Sequence, residues 1–249
     1  YLVLSGAASA TALFGFALLY AEAGSLQFSQ MGVHLASEAV NNVSLLVAAV
    51  MVIAGLGFKL SLVPFHMWTP DVYDGAPAPI TGFLASVSKT AIFVALVRWF
   101  LAADLFRFEI LIDSIAVLAI LSMFAGNILA LLQTNIKRML AYSSIAHMGY
   151  LLIILVVGGN AEYRPLALEA GMFYLIAYTA TTLAAFGLLA LISTQSRGPE
   201  NVRLQDVSGL FWHQPLSACL MLVALLSLAG IPLTAGFIAK FYLFSAAVS

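Results

Sequence analysis

The stretch that decides the fold is GFKLSLVPFHMWTPD, at residues 57–71. It closes an apolar run, because residues 45–58 contain no charged side chain. Lys59 therefore belongs to a segment long enough to cross a bilayer, and the nearby Pro64 removes a backbone donor and interrupts the helix. A charge beside a helix break is unfavourable in lipid, and such pairs mark the ion or substrate paths of membrane proteins.

A second stretch repeats this pattern near the other end of the chain. Residues 226–232 read LSLAGIP, which echoes the LSLVP that ends at Pro64, and Lys240 follows it. Each stretch lies in an apolar segment too long for one straight crossing. We predict a helix break at Pro64 and another at Gly230 and Pro232. Both breaks are expected to be buried in protein, because unpaired backbone groups cannot face lipid.

Seven segments are apolar and long enough to span the hydrocarbon core, which requires about 20 helical residues. They are residues 1–20, 43–73, 79–102, 110–132, 138–158, 166–194 and 215–248. The second and the last cross in opposite directions, which is the arrangement of inverted repeats in transporters. The sequence therefore predicts an all-α polytopic membrane protein, with one membrane domain over residues 1–249.

The composition excludes an ordinary soluble enzyme. The chain is 63% hydrophobic and 8% charged, whereas soluble domains are about 25% charged. A net charge of −1 gives no basic surface for nucleic acid. Cys219 is the one cysteine, so this chain alone builds neither a disulfide nor an iron–sulfur cluster. Because the chain starts at Tyr1 without a methionine and ends within an apolar run, we interpret it as a fragment of a longer protein.

Three lysines lie deep in apolar segments, namely Lys59, Lys89 and Lys240, whereas the acidic residues lie in loops or near segment ends. A lysine at the bilayer centre costs about 2.5–3.5 kcal/mol on insertion scales. A lysine amine can take up and release a proton, whereas arginine stays charged. We therefore expect a proton path. The alternative is that each lysine snorkels to the interface or forms a static ion pair.

His147 lies in the middle of the fifth segment, within AYSSIAHMGY at residues 141–150. Tyrosine, serine and histidine on one helix can anchor a chain of water molecules. The residues leave open the alternative that they only form hydrogen bonds between helices, worth about 0.6 kcal/mol each. The sequence has no Gly-rich phosphate loop, flavin fingerprint or metal-ligand spacing. It thus indicates a charge path and no cofactor or redox centre in this chain.

Several motifs together resemble the antiporter-like membrane subunits of respiratory complex I. They are GFKLSLVPFHMWTPDVY with GAPAP (57–79), SKTAIF (88–93), QTNIKR (133–138), YSSI with HMGY (142–150), GLFWH (209–213) and LSLAGIP through KFY (226–242). These motifs cover nearly the whole chain. The match is closest to the subunit N group of bacterial proton-pumping NADH:quinone oxidoreductases, which corresponds to mitochondrial subunit 2. The sister subunits L and M usually carry histidine where this chain has Lys89.

The resemblance implies a fold of about fourteen helices with two inverted five-helix repeats and discontinuous helices. This fragment would run from the sixth helix into the twelfth. Lys59 would be the proton-accepting lysine of the seventh helix, Lys89 the connecting residue of the eighth, and Lys240 the exit-side residue of the twelfth. His147 would lie on the hydrophilic axis between them. A glutamate paired with the first lysine would precede Tyr1.

The resemblance also implies a function and its setting. The chain would belong to a translocase that moves protons while electrons pass from NADH to quinone in partner subunits, which would hold the NAD, FMN, iron–sulfur and quinone sites. The expected partners are the other complex I membrane subunits, the lipid bilayer and protons. The expected location is the bacterial inner (plasma) membrane, with the mitochondrial inner membrane as the alternative.

Three rival interpretations remain at this point. The nearest is a subunit of a multi-subunit sodium/proton antiporter, which shares the fold. Another is a structural subunit that links pumping modules, in which the three lysines would be dispensable. The third is a secondary solute transporter, which is disfavoured because the sequence shows no polar pocket beyond the lysines.

Overall fold

The computed structural model describes residues 1–38, 43–195 and 203–248. Within these ranges the chain is helical, and the only strand-like pairing is an isolated bridge between Asn135 and Arg203. The helices are α1 (Leu2–Ala23), α2 (Phe28–Glu38), α3 (Val43–Leu60), α4 (Trp68–Gly75), α5 (Ala78–Phe83), α6 (Lys89–Ala102), α7 (Glu109–Leu131), α8 (Ile136–Val157), α9 (Arg164–Gln195), α10 (Leu210–His213), α11 (Pro215–Ala229) and α12 (Ala235–Val248).

Six helical segments in the described ranges are long and apolar enough to cross a membrane, with Ala78–Ala102 counted as one. The apolar helices α11 and α12 are shorter, because an interruption divides the last predicted segment in two. Two thirds of α8 is buried, more than of any other spanning helix, and α7, α9 and α12 pack around it. The prediction of an all-α polytopic membrane protein with discontinuous helices is confirmed.

Helix pairs approach closely where glycines lie in the contact. A Cβ atom on Gly126 of α7 would lie 2.6 Å from the Ala146 backbone nitrogen of α8. One on Gly149 of α8 would lie 2.8 Å from the Ala119 carbonyl oxygen of α7. Membrane helices associate largely through such van der Waals packing, because lipid supplies no hydrophobic driving force between them. These small residues therefore fix α7 against α8.

We expect Gly126→Ala to lower the free energy of unfolding by about 1–3 kcal/mol, because the added methyl group forces α7 and α8 apart. The measurement is the thermal unfolding of the purified membrane protein, followed by circular dichroism. Gly6→Ala is the matched control, since nothing lies within 4 Å of a Cβ atom at Gly6 in α1. Equal melting temperatures for the two variants would contradict the close approach of the helices.

The first interruption separates α3 from α4 and contains Pro64. Its backbone groups find partners inside the protein: the Val63 amide donates to the Ser122 hydroxyl of α7 at 3.0 Å. The Thr69 hydroxyl donates to the Ser61 hydroxyl at 2.7 Å, and both residues are fully buried. The Ser122 side chain therefore satisfies one backbone amide that the interruption frees, and the bond between Thr69 and Ser61 links the two ends of the interruption.

The second interruption separates α11 from α12 and contains Gly230 and Pro232. Gly230 ends α11 in the left-handed region, with φ of 81°, where glycine has no steric penalty. The expected burial of the two breaks is wrong at both prolines' segments in the described chain: Pro64 is exposed in the first, and Leu233 is fully exposed and Ile231 46% exposed in the second. The contacts of this region are made by the helices on either side, α11 against α9 and α12 against α9 and α8, and they leave the turn between them uncovered.

A third irregularity, a π-helical turn at Leu84–Ser88, lies between α5 and α6. A π-turn disturbs the regular ladder of backbone hydrogen bonds, and such turns are common at functional sites. The Ala85 carbonyl accepts a hydrogen bond from the Tyr178 hydroxyl of α9 at 2.8 Å. Lys89 follows this turn directly. Lys59 likewise lies in the last turn of α3, and Lys240 in the second turn of α12, so Lys59, Lys89 and Lys240 each lie beside an irregular segment.

A polar cluster joins the end of α4 to the start of α8. The Arg138 guanidinium lies 2.7 Å from the Asp71 carboxylate and 3.8 Å from that of Asp74. Lys137 is only 2% exposed, and its amine donates to the Ala76 carbonyl at 2.9 Å. The Asn135 side chain accepts from the backbone amides at the start of α8, which is a standard helix cap. These contacts hold the second half of the interrupted helix against α8.

Candidate functional site

The candidate site is organised by one face of α8. Ser144, His147 and Tyr150 occur at intervals of three residues, which places them on one side of the helix over about 9 Å. Ser144 and His147 are buried, and Tyr150 is half-buried. Each of the three contacts a different group from another helix, so α8 carries a row of polar side chains through the middle of the protein.

The Lys89 amine lies at the Ser144 end of this row. It donates to the Ser144 hydroxyl at 2.5 Å and lies 5.6 Å from the centre of the Tyr73 ring. Lys89 is 1% exposed, so its amine has left water almost completely. Among the described residues no carboxylate pairs with it. The amine is thus held by one hydroxyl and one aromatic face, without a compensating charge.

His147 occupies the middle of the row and is 5% exposed. Its Nδ1 atom lies 2.6 Å from the Tyr174 hydroxyl, and its ring lies 5.1 Å from that of Tyr178. Both tyrosines come from α9, one helical turn apart. A cavity of about 10 Å³ between His147, Tyr178 and Lys240 has room for about one water molecule. Histidine therefore lies within one water of the last lysine.

The Lys240 amine caps the end of α11. It donates to the Leu228 and Ala229 carbonyls at 2.9 and 3.0 Å, the position at which a cation favours the helix dipole. It also lies 5.2 Å from the centre of the Tyr150 ring. A groove of about 560 Å³ runs from this amine past Asn127 to Gln133, at the end of α7. Lys240 thus borders both the small cavity and an open groove.

Lys59 is set apart from the other two lysines. Its amine donates to the Ser5 hydroxyl of α1 at 2.5 Å, and among the described residues this is its one hydrogen-bond partner. The Trp68 ring contacts Phe58 on one side and Tyr73 on the other, at 5.3 and 6.4 Å between ring centres. A series of aromatic contacts thus runs from Phe58, the neighbour of Lys59 in the sequence, to Tyr73 at the Lys89 site.

The structure thus places Lys89 at the Ser144 end of the row on α8, His147 in its middle and Lys240 at its Tyr150 end. Lys59 lies outside this row. Pro64, Gly230 and Pro232 lie in the interruptions beside the lysines and supply no polar side chain. In the described ranges no three His, Cys, Asp or Glu side chains converge on a metal-sized site. The arrangement offers buried amines, an imidazole and hydroxyls in sequence, which are groups that can exchange protons.

Sequence reasoning did not single out four residues that the structure brings into this site: Tyr73, Ser144, Tyr174 and Tyr178. A signal for the last two was present, because they are tyrosines four residues apart in an apolar helix and so share one face. Ser144 was visible only as a member of a polar motif. No sequence pattern distinguishes it from Ser143, since which of two adjacent serines faces inward depends on the packing of α8.

The comparisons with known proteins agree with this architecture. The family model described as "NADH:quinone oxidoreductase/Mrp antiporter, TM" matches residues 1–249. A curated relative, NADH-quinone oxidoreductase subunit N of Methylococcus capsulatus (strain ATCC 33009 / NCIMB 11132 / Bath), is 51% identical over 248 residues, which are 100% of this chain and 50% of the relative.

Two solved structures share the fold. A chain of respiratory complex I from Thermus thermophilus with bound aureothin is 39% identical with a TM-score of 0.79, and the match covers 100% of this chain and 51% of that one. A chain of the Mrp complex from Dietzia sp. DQ12-45-1b is 27% identical with a TM-score of 0.86, covering 100% and 44%.

The chain spans about half the length of the curated relative and of these solved chains. The resemblance to complex I membrane subunits inferred from its motifs is confirmed. Over its whole length, this chain belongs to the transmembrane NADH:quinone oxidoreductase/Mrp antiporter family.

Proposed function

We propose that this chain is part of a proton-translocating membrane subunit of NADH:quinone oxidoreductase, and that residues 1–249 belong to one antiporter-like domain. The observation that carries the proposal is the Lys89 amine, which is fully buried without a carboxylate partner and lies in a row with His147 and Lys240. A fixed charge in a membrane interior is normally paired. An unpaired amine is suited to gaining and losing a proton.

Each of these residues would carry out one step of proton transfer. Lys59 and Lys89 would accept protons in turn, and His147 with a water molecule would bridge the step to Lys240. The groove that runs from Lys240 to the end of α7 would give this last lysine access to water. Lysine suits each position because its amine can lose the proton that arginine would keep.

The redox chemistry would occur outside this chain. Partner subunits would hold the NAD, FMN, iron–sulfur and quinone sites, and other membrane subunits of the complex would adjoin this one. The bacterial relatives support the bacterial inner membrane as its location, with the mitochondrial inner membrane as the alternative. Protons would be the substrate of this chain, and the energy for their movement would come from quinone reduction elsewhere.

A subunit of a sodium/proton antiporter is the second candidate, favoured by the TM-score of 0.86 with a chain of the Mrp complex. The higher identity to chains of NADH:quinone oxidoreductase weighs against it. A purely structural subunit is disfavoured, because three lysines within apolar segments, one of them fully buried, would then cost insertion free energy without serving a purpose.

The Na⁺ dependence of proton translocation by the full-length subunit in its native membrane distinguishes these functions. We expect NADH to drive acidification of inverted vesicles at the same rate when choline replaces all Na⁺, because protons alone move along the lysines. Collapse of the gradient by an uncoupler, but not by a sodium ionophore, is the control. A gradient that forms only with Na⁺ present would favour the antiporter instead.

A further inference from the structure

Among the residues that the structure describes, Ser144 is the one hydroxyl that is hydrogen-bonded to the Lys89 amine, and it has further polar neighbours. It is 2% exposed. The phenols of Tyr73 and Tyr178 both lie close enough to interact with it. Three proton-carrying groups from three other helices, α4, α6 and α9, therefore meet at one serine of α8.

The chemistry of the amine dictates how this serine is oriented. A lysine ammonium has three donors and no acceptor, so the Ser144 oxygen must accept from protonated Lys89. The Ser144 proton then has to point away from the amine, toward another acceptor. When Lys89 is neutral, the nitrogen has a lone pair and the same hydroxyl can donate to it. The direction of the Ser144 hydrogen bond thus reverses with the charge of Lys89.

The two phenols provide partners for both orientations. Tyr178 donates its own proton to the Ala85 carbonyl, which leaves its oxygen free to accept from Ser144. Tyr73 is fully buried, and its hydroxyl has no hydrogen-bond partner of normal geometry in the described ranges. It can donate to the Ser144 oxygen once that oxygen no longer accepts from Lys89. An orphan hydroxyl at this depth is unfavourable, so its presence needs a reason.

We propose that Ser144 is a proton-transfer residue that passes a proton from Lys89 to Tyr178 of α9. This rests on the proton-translocating function proposed above. An N–H bond of the Lys89 ammonium breaks as the Ser144 oxygen takes its proton, while the original Ser144 proton passes to Tyr178. At the same time the Tyr178 hydroxyl turns from the Ala85 carbonyl toward the water between His147 and Lys240 and gives its own proton to that water, which passes one of its protons to the neutral Lys240 amine. Lys89 ends neutral, Lys240 ends charged, and Tyr73 holds Ser144 until the next proton arrives.

The test compares two substitutions at Ser144 in the whole complex in inverted vesicles. Ser144→Ala removes the hydroxyl without adding bulk, and the rate of NADH-driven proton translocation is expected to fall about tenfold. Ser144→Thr keeps the hydroxyl but adds a methyl group at a buried position, and translocation is expected within about threefold of the parent. A packing role gives the opposite order, because alanine fits and threonine does not. That order, or normal translocation by Ser144→Ala, overturns the proposal.

Tyr73→Phe is the second variant, and it removes only the orphan hydroxyl. Loss of an unpaired buried hydroxyl should leave the melting temperature of the complex unchanged or raise it. Translocation is nevertheless expected to fall about fivefold, since Ser144 loses the partner for its second orientation. Normal translocation by this variant contradicts the proposal. Ser114→Ala is the matched control, because Ser114 is an exposed helix serine bonded to its own helix at the Ile110 carbonyl.

Lys89→Met in the same vesicles distinguishes a failure of the proposed proton-translocating function from a failure of the role proposed for Ser144. If Lys89→Met translocates like the parent, the proton-translocating function proposed for this row is wrong. If Lys89→Met fails and Ser144→Ala translocates normally, that function stands and only the role of Ser144 is wrong. If both Lys89→Met and Ser144→Ala fail while Ser144→Thr succeeds, both proposals are supported.

Discussion

Lys89→Met is expected to lower the rate of proton translocation through this subunit by about 100-fold or more, and to leave the subunit folded and assembled. A positioned proton-transfer group commonly contributes this much to a rate. Methionine is unbranched and adaptable, so it fills the space of the lysine stem. Removal of an unpaired buried charge also relieves an insertion cost, so the folded state should not suffer. The measurement is proton translocation per NADH oxidised, after assembly has been checked.

Arginine and histidine at position 89 distinguish a titrating amine from a fixed positive charge. Arginine keeps its proton across the physiological range, so Lys89→Arg should block transfer. Histidine titrates near neutral pH, so Lys89→His should retain part of it. If Lys89→Arg translocates like the parent while Lys89→His does not, the role assigned to Lys89 is wrong.

Lys137 provides the matched control for this series, because it is also a buried lysine. Its amine donates to the Ala76 carbonyl beside the Asp71–Arg138 ion pair, so its role is to bind backbone at the end of α4. There the order should reverse, with Lys137→Arg tolerated better than Lys137→His. An identical order at both positions would show that substitution of any buried lysine acts through packing.

Gly236→Ala is expected to have the second largest effect, at the junction of α11 and α12. A Cβ atom at Gly236 would overlap the Ser227 carbonyl of α11, and backbone on both sides leaves no room to yield. The start of α12 must then move away from α11. Lys240 lies one turn further on the same face, so its amine would leave the Leu228 and Ala229 carbonyls. We expect translocation to fall by about tenfold or more even where the complex assembles.

Gly187→Ala is the control for this substitution, since it places the same methyl group on α9 where nothing lies within 4 Å. It should assemble and translocate like the parent. The readouts are the amount of assembled complex and the rate of translocation in inverted vesicles. Normal translocation by assembled Gly236→Ala would show that the contact of Lys240 with the end of α11 is dispensable.

The elements that follow from hydrophobicity could be predicted from the sequence. Apolar runs of about 20 residues define spanning helices by length alone, and a proline within such a run defines an interruption. The lysines were visible for the same reason, since a charge contrasts with an apolar run. These features are local, so one sequence is enough to find them.

The rest of the site depends on packing between helices. The π-turn before Lys89 packs on α9, as does α5, and no local sequence pattern distinguishes it from regular helix. The choice of Ser144 over Ser143 is set by the rotation of α8 about its axis. The exposure of Leu233 depends on which helices surround α12. None of these follows from local pattern, because each reflects contacts between residues distant in the sequence.

The irregular segments beside the three lysines have a mechanical consequence. A regular α-helix is stiff because every interior backbone hydrogen bond is made, so the row on α8 acts as a fixed scale whose divisions stay about 4.5 Å apart. Helices change direction at π-turns and at interruptions of their hydrogen-bond ladder. Lys59, Lys89 and Lys240 each follow or precede such a point, so the direction of each lysine stem is set by irregular backbone. The polar groups between them lie on uninterrupted helix, which sets their spacing.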